Sequence, residues 1–227
     1  MANKMDKNKV AVIVAHPDDE LLGVGGTLCR HKDEGDEISI LIFANGEDSR
    51  GSLVSNPDKR LSQAQKVAKS LKAELIVYNL PDNAFDTVSL LSVAKKVEEF
   101  IEKIKPNIIY THHGGDLNID HRIIHDAVIT ASRPIAPNQT PNIYSFETLS
   151  STEWQTIGEM NFHPNYFVDV SKFLKEKVRL LSVYRDELRD FPHPRSIEGV
   201  EILAKYRGMQ SGLKAAEAFQ IERVIKK

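Results

Sequence analysis

The fold is decided by the stretch Val10-Ala11-Val12-Ile13-Val14-Ala15-His16-Pro17-Asp18-Asp19-Glu20. Residues 9–15 read as a continuous apolar strand, which is typical of a parallel sheet covered on both faces. The apolar run then ends abruptly in an imidazole, a turn-forming proline and three carboxylates. Because imidazole and carboxylate groups are metal ligands, the stretch predicts metal-binding chemistry at the rim of a sheet.

Strands and helices alternate along most of the chain. Apolar strands at 38–44, 75–80 and 107–111 follow the first one, and they are separated by segments with helical periodicity. The alternation predicts right-handed crossovers and an α/β fold, with a Rossmann-like, mostly parallel sheet and helices on both faces. Ligands of such sheets bind beyond the carboxyl ends of the strands. Four polar segments that follow successive strands are therefore predicted to share one cleft: 16–20, 45–50, 81–86 and 112–121.

The last third of the chain is less regular and predicts a smaller C-terminal α+β portion. We predict strands at 142–148, 167–170 and 218–224, and helices at 171–189 and 197–209. No internal repeat, low-complexity tract or linker marks a boundary, so residues 1–227 are predicted to form a single domain. Within this domain, residues 9–150 are predicted to form the Rossmann-like part that carries the metal site, and residues 151–227 are predicted to shape the pocket.

Composition excludes several classes of partner. The 227-residue chain has a formal charge of −2 with both signs interspersed, so no basic face indicates nucleic acid or an anionic membrane. No apolar run approaches the roughly 20 residues that span a bilayer. The single cysteine, Cys29, cannot form an internal disulfide, which fits a reducing compartment. We therefore predict a cytoplasmic protein with a small-molecule ligand, and homo-oligomer formation stays open.

Three residues suit a single metal ion. His16 and Asp19 lie three residues apart across a tight turn, and His121 in the second polar loop can supply a third bond. Catalytic zinc usually has three protein ligands and one open position. Asp18 is predicted to face the pocket, where a carboxylate can take a proton. The alternative is that these carboxylates, with Glu20, only cap a helix N-terminus, and the second histidine-rich loop favours the metal site.

Two motifs resemble the LmbE-like (PIG-L) family of zinc-dependent N-deacetylases: His16-Pro17-Asp18-Asp19-Glu20 with Gly23, Gly25, Gly26 and Thr27, and Asp120-His121 at the start of a later helix. The resemblance covers about residues 9–150. It implies a zinc cofactor held by His16, Asp19 and His121, with Asp18 as the general base for a zinc-bound water. It also implies a hydrolase that removes the acetyl group from an N-acetylated amino sugar or sugar conjugate, such as an N-acetylglucosaminyl compound.

One position departs from the family's pattern. Many members have a histidine three residues before the ligand histidine, and this chain has Asn118 there. An amide can donate a hydrogen bond, but it supplies neither a positive charge nor a titrating proton. We therefore expect Asp18 to act as base and then as acid, and His112, His113 or Asp116 to cover the missing electrostatic role. The candidate catalytic residues are Asp18, His113, Asp116, Asn118 and Asp120.

Substrate contacts are predicted from three kinds of side chain. Arginines can bind hydroxyl, phosphate or carboxylate groups, an aromatic ring beside a carboxylate suits a sugar ring, and flanking prolines restrict the loop around His193. The candidates are Arg50, Arg60, Glu153, Trp154, His193 and Arg195. The alternative is that the candidates in the C-terminal portion only pack there, and that the arginines are solvated surface groups.

Other interpretations carry less weight or stay open. His121 and His125 have zincin-like spacing, but no glutamate base lies between them, so His125 is predicted to be a packed or supporting histidine. The glycines after His16 lack the dinucleotide-binding pattern. Two functional alternatives remain: a zinc amidohydrolase that acts on a non-sugar N-acyl compound, and a sugar- or metal-binding protein without catalysis.

Overall fold

The computed structural model describes residues 7–44, 57–135, 141–156, 158 and 160–226. The strands are β1 (Lys9–Val14), β2 (Glu37–Ala44), β3 (Glu74–Leu80), β4 (Ile108–His112), β5 (Asn142–Phe146), β6 (Tyr166–Asp169) and β7 (Ala216–Arg223). The helices are α1 (Asp19–Glu34), α2 (Pro57–Leu71), α3 (Leu90–Ile104), α4 (Ile119–Ala131), α5 (Leu174–Leu181) and α6 (Ile197–Ser211). Short 3-10 turns lie at Phe85–Thr87, Thr152–Trp154 and Ser182–Tyr184. No helix in these ranges is long and apolar enough to cross a membrane.

The strands of the described ranges form one sheet in the order β3-β2-β1-β4-β5-β7-β6. Strands β1 to β5 pair in parallel, whereas β7 is antiparallel to both β5 and β6. The predicted α/β fold with a mostly parallel, Rossmann-like sheet is therefore confirmed. The strand order reverses at β1, whose neighbours are β2 and β4. A crevice at such a switch point is where open α/β sheets bind their ligands.

Helices cover both faces of the sheet, as predicted. Alternate residues of β1 face opposite sides. Val10, Val12 and Val14 pack with apolar residues of α1, α2, α5 and α6, whereas Ala11 and Ile13 pack with those of α3 and α4. Side chains 10–15 are all fully buried, which explains why this strand is a continuous apolar run.

Two glycines let α1 approach the sheet closely. A Cβ atom on Gly23 would lie 2.0 Å from Cδ2 of Phe146, and one on Gly26 would lie 2.9 Å from Cβ of Val170. Gly23 therefore packs on the end of β5, and Gly26 packs on the residue that follows β6. The glycines that follow His16 therefore serve helix packing, and no dinucleotide is needed to explain them.

The C-terminal elements differ from the prediction in length. The helix predicted at 171–189 begins at Leu174 and ends at Leu181, and the 3-10 turn follows it. Ser171 does not cap this helix, because its Oγ lies 2.6 Å from Asp169 Oδ1 and 3.2 Å from the backbone nitrogen of Ala215, joining β6 to the start of β7. Strand β5 ends two residues before the predicted position and β7 begins two residues earlier than predicted.

A buried ion pair joins the C-terminal portion to the middle of α1. The Glu217 carboxylate accepts hydrogen bonds from the backbone N–H groups of Gly26 and Thr27, both at 2.7 Å, and from Lys177 Nζ at 2.6 Å. Lys177 Nζ also donates to the Leu22 carbonyl at 2.9 Å. Both charged side chains are only 4% exposed. Because every charge here is paired and hydrogen-bonded, the pair tolerates its removal from water.

We expect Lys177→Met to lower the free energy of unfolding by roughly 3–5 kcal/mol, since it leaves the buried Glu217 carboxylate without its cation. Urea denaturation followed by circular dichroism measures the loss. Lys175→Met is the matched control, because Lys175 lies in the same helix with its side chain exposed, and we expect a change within about 0.5 kcal/mol. Similar values for the two variants would contradict a stabilising role for the ion pair.

Candidate metal and catalytic site

The three predicted metal ligands meet at the carboxyl ends of β1 and β4. His16 follows β1, Asp19 is the first residue of α1, and His121 lies in the first turn of α4. All three are buried, with exposed fractions of 8%, 1% and 0%. One potential ligand atom from each lies within 4.8 Å of the other two, so a single ion can contact all three.

Outer carboxylates contact both of the candidate histidine ligands. His16 Nε2 lies 2.9 Å from Asp82 Oδ1 and 3.0 Å from Asp120 Oδ2, which leaves Nδ1 on the side of Asp19. His121 Nδ1 lies 3.1 Å from an Asp116 oxygen, which leaves Nε2 facing Asp19 at 3.4 Å. A histidine that binds a metal through one nitrogen usually donates its other N–H to a carboxylate or a carbonyl. Both rings have this arrangement.

The inner atoms of the group fit a zinc ion. Asp19 Oδ1 and His121 Nε2 are buried and have no hydrogen-bond partner in the described part of the chain. Burying a polar atom without a partner costs free energy, and a bound cation would remove that cost. Two imidazole nitrogens and one carboxylate oxygen form a ligand set typical of catalytic zinc. His16, Asp19 and His121 would therefore hold the ion.

Charge at the ligand group favours an ionised aspartate. Burial alone would raise the pKa of Asp19, but the neighbouring His121 and His112 hold that pKa well below its usual value. His112 packs its ring flat on that of His121, with centroids 3.8 Å apart. His112 Nε2 accepts a hydrogen bond from the backbone N–H of Ala15 at 3.0 Å. Burial lowers the pKa of His112 to about 4.

Asp18 lies beside this group in a strained backbone conformation. Its φ of 108° is positive, a backbone conformation that side chains other than glycine rarely adopt and that costs free energy. The conformation is stabilised because the Asp18 N–H donates to Glu20 Oε2 at 3.0 Å and the Asp18 carbonyl accepts from the N–H groups of Leu21 and Leu22. Tyr184 in turn donates to Glu20 Oε1 at 2.8 Å, so Glu20 supports the turn.

The Asp18 carboxylate suits proton transfer. Burial raises its pKa to about 6, and the Arg195 guanidinium, 3.3 Å from Oδ2, opposes the rise. A carboxyl group that titrates near neutral pH can both accept and return a proton. Arg195 reaches Asp18 from the loop that precedes α6, so a residue of the C-terminal portion contacts the candidate base.

The remaining candidates, in the loop before α4 and in its first turn, lie outside the group of three candidate ligands. Asn118 caps α4, since its Oδ1 accepts from the Asp120 N–H at 2.8 Å and its amide nitrogen donates to Asn83 at 3.3 Å. Asp120 also accepts from the backbone N–H groups of Asn83 and Phe85. Asp116 and Asp120 thus lie behind the two candidate ligand histidines, in contact with the outer nitrogens of their rings.

His113 points away from the ligand group. Its Nε2 donates to the Met160 carbonyl at 2.8 Å, and its ring meets Phe162 edge-on. With His125 it lines a separate cavity of about 370 Å³. His125 Nδ1 lies 3.3 Å from Asp126 and its Nε2 lies 3.8 Å from Glu222, so the structure does not bring His125 to the ligands.

The predicted substrate residues are placed as follows. Arg60 pairs with Glu187, and both contribute to the charge environment of Asp18. The Glu153 carboxylate accepts from the N–H groups of Ser150 and Ser151, so it closes its own turn. Trp154 is 51% exposed and meets the His193 ring edge-on at 5.6 Å. Arg50 lies outside the described residues.

Sequence reasoning missed two supporting residues. Asp82 contacts His16, and the only signal for it was its place in the polar loop after β3. Glu187 pairs with Arg60, and the charges of both side chains act on Asp18. No local pattern in the sequence predicted Glu187.

Fold and site together define a class: α/β proteins with two histidines and one aspartate arranged for a metal at the carboxyl edge of the sheet, and a second buried aspartate beside them. A family model described as PIG-L, GlcNAc-PI de-N-acetylase, matches residues 11–132, which is more than half of the chain. The protein belongs to this family, and the predicted resemblance is confirmed.

Individual proteins are similar over nearly the whole chain. The diacetylchitobiose deacetylase of Thermococcus kodakarensis is 25% identical over 233 residues, covering 95% of this chain and 83% of that protein. The crystal structure of the conserved protein TT1542 from Thermus thermophilus has a TM-score of 0.78 at 21% identity, with 97% of each chain covered. GalB, the 4-carboxy-2-hydroxymuconate hydratase of Pseudomonas putida, has a TM-score of 0.76 at 18% identity, covering 96% of this chain and 98% of GalB. These structures show the fold alone, and a hydratase among them means that the reaction must be argued from the site.

Proposed function

We propose that this protein is a zinc-dependent hydrolase that removes the acetyl group from an N-acetylated amino sugar or sugar conjugate. The observation that carries the proposal is the buried Asp18 carboxylate, which lies beside a candidate ligand group in which Asp19 Oδ1 and His121 Nε2 have no hydrogen-bond partner among the described residues. The family description and the diacetylchitobiose deacetylase relative support the deacetylase activity and the sugar substrate.

The chain's own residues divide the chemical work. When bound, zinc would lower the pKa of water and polarise the acetamide carbonyl. Asp18 takes a proton from the attacking water and passes it to the departing nitrogen, so that water and amide yield acetate and a free amine. Arg195 stabilises the ionised form of Asp18. Asp116 and Asp120 keep the ligand rings of His121 and His16 oriented.

Arg195 acts on the candidate base in this proposal and not on the substrate. As a candidate substrate contact it was expected to bind a hydroxyl or an anionic group, but its guanidinium is directed at the base, and its Nε donates to the Leu149 carbonyl at 3.3 Å. Trp154, with half of its surface exposed, is the better candidate for contact with a sugar ring, because aromatic side chains offer a large apolar face.

An acetate-release screen tests the proposal. Zinc-loaded protein is incubated with N-acetylglucosamine, diacetylchitobiose, N-acetylglucosaminyl conjugates and N-acetylated amino acids, and acetate and free amine are both measured. We expect equal amounts of the two products from at least one sugar compound. Release from the amino acids alone would favour the non-sugar amidohydrolase. Absence of release from every compound by protein with one zinc per chain would favour a binding protein without catalysis.

A further inference from the structure

The segment between β5 and β6 touches both halves of the candidate site. We call residues 148–154 the bridging loop. The hydroxyl groups of Ser151 and Thr152 both donate to Asp116, the carboxylate behind the ligand His121. At its other end, the Leu149 carbonyl accepts from Arg195, whose guanidinium contacts Asp18. One short segment therefore connects the metal ligand to the candidate base.

The orientation of these hydroxyl groups is determined by their partners. Thr152 Oγ accepts a hydrogen bond from the Thr148 N–H at 2.8 Å, so its own proton is free to go to Asp116. Ser151 donates to the other Asp116 oxygen, the one that also accepts from His121 and from the Asn118 N–H. Asp116 is fully buried, and Ser151 and Thr152 are at most 9% exposed, so solvent hardly competes for these bonds.

A carboxylate that orients a metal-binding histidine must itself be held in place. A carboxylate can rotate about its terminal torsion, which is broad, unless donors occupy both of its oxygens. Here the bridging loop supplies a donor to each oxygen of Asp116. Loss of the direct hydrogen-bond partner of a metal-binding histidine typically costs 10–100-fold in metal affinity or activity, and Ser151 and Thr152 act one step further from the metal.

We propose that Ser151 and Thr152 are positioning residues that set zinc affinity through Asp116 and His121. The bridging loop holds the carboxylate behind His121 with two hydroxyl groups, and its Leu149 carbonyl accepts from Arg195, the residue that contacts Asp18. The rate effect rests on the proposed function, whereas the effect on zinc affinity does not.

Four variants of the full chain test the proposal. Ser151→Ala removes one donor to Asp116 while the Thr152 contacts stay. Thr152→Val removes the hydroxyl at nearly constant shape, and Thr152→Ser restores it. Thr156→Val is the matched control, since the Thr156 hydroxyl, as far as the described residues go, contacts Gln155 at 3.4 Å and not Asp116, and the residue is exposed. Zinc affinity is measured by competition with a chromophoric chelator, and folding is checked by circular dichroism and thermal melting.

We expect Thr152→Val to weaken zinc binding by up to about 10-fold, the lower end of the cost of losing a direct partner of a metal-binding histidine, because Thr152 is the donor that the described residues supply to Asp116 Oδ2. Ser151→Ala should weaken it less, because His121 and Asn118 still donate to Asp116 Oδ1. The Thr152→Ser and Thr156→Val proteins should bind zinc as wild type does. With a substrate from the acetate screen, kcat at limiting zinc should fall in the same order while KM stays unchanged. Wild-type zinc affinity in both Ser151→Ala and Thr152→Val would overturn the proposal, even if their melting temperatures fall. Equal losses in Thr152→Val and Thr152→Ser would also overturn it, because the hydroxyl would then not be the cause. If no compound is turned over, the proposed function fails while the zinc series still decides this proposal.

Discussion

Asp18→Asn is expected to lower kcat by about 10²–10⁴-fold, the range that general acid–base catalysis contributes, with zinc content unchanged. Asparagine has nearly the same shape and its amide oxygen can still accept from Arg195, but it cannot take a proton at neutral pH. Asp18 contacts Arg195 through Oδ2, and the backbone bonds that hold its turn come from its N–H and carbonyl, which the substitution keeps. The measurements are kcat on an acetylated sugar and zinc per chain by elemental analysis.

Asp126→Asn is the matched control for this experiment. Its side chain is 61% exposed on α4, one residue after His125, so the change removes a carboxylate without touching the ligand group. We expect wild-type kcat from it. Full activity in Asp18→Asn would exclude Asp18 as the base. Loss of zinc together with activity would instead make Asp18 a metal ligand.

The candidate metal ligands could be predicted because they lie in short segments that directly follow strands. His16 and Asp19 lie three residues apart at the end of an apolar strand, and His121 follows another strand. The parallel order of β1 and β4 brings these segments to one edge, as the alternation of strands and helices predicts. The sheet order itself was not predicted, because the antiparallel placement of β7 depends on contacts between distant segments.

Neighbouring histidines show why a motif does not determine roles. His112 ends β4 and faces Asp19 and His121, whereas His113, the next residue, points to Met160. Successive side chains of a strand point to opposite sides, so a shift of one residue decides which histidine reaches the site. Both histidines are candidates in the sequence for the electrostatic role that a histidine at position 118 would have. Only the backbone direction in the structure shows that His112, and not His113, faces the site.

Charge pairs between distant residues could not be predicted from the sequence, because many partners of the right charge are available for each residue. Arg195 is 177 residues from Asp18, and no local pattern distinguishes it from the rest of the 30 lysines and arginines in the chain. The same holds for Lys177 and Glu217, whose pairing depends on the close approach of α1, α5 and β7. Burial makes these pairs energetically important, but burial is a property of the packed chain and not of a local pattern.

Asp19→Asn is expected to weaken zinc binding by more than about 100-fold. Loss of a residue that only hydrogen-bonds a metal ligand typically costs about 10–100-fold, and Asp19 is proposed to bind the metal directly. Asp19 is the one anion among the three proposed ligands, and one of its oxygens is buried without a hydrogen-bond partner in the described ranges. A neutral amide cannot replace its charge. Zinc titration of metal-free protein measures the change, and acetate release should fall with zinc content.

Asp36→Asn distinguishes a metal centre from an ordinary histidine–aspartate pair. His31, Glu34 and Asp36 also lie close enough together to hold an ion, but His31 Nδ1 faces Asp36 at 2.7 Å and its Nε2 faces the Tyr110 hydroxyl at 3.1 Å. Both ring nitrogens are therefore already engaged, unlike His121 Nε2. We expect Asp36→Asn to bind one zinc with wild-type affinity and to keep its activity. If zinc were lost in Asp36→Asn and retained in Asp19→Asn, the metal would belong to the group around His31, and the proposed role of Asp18 beside Asp19 would lose its basis.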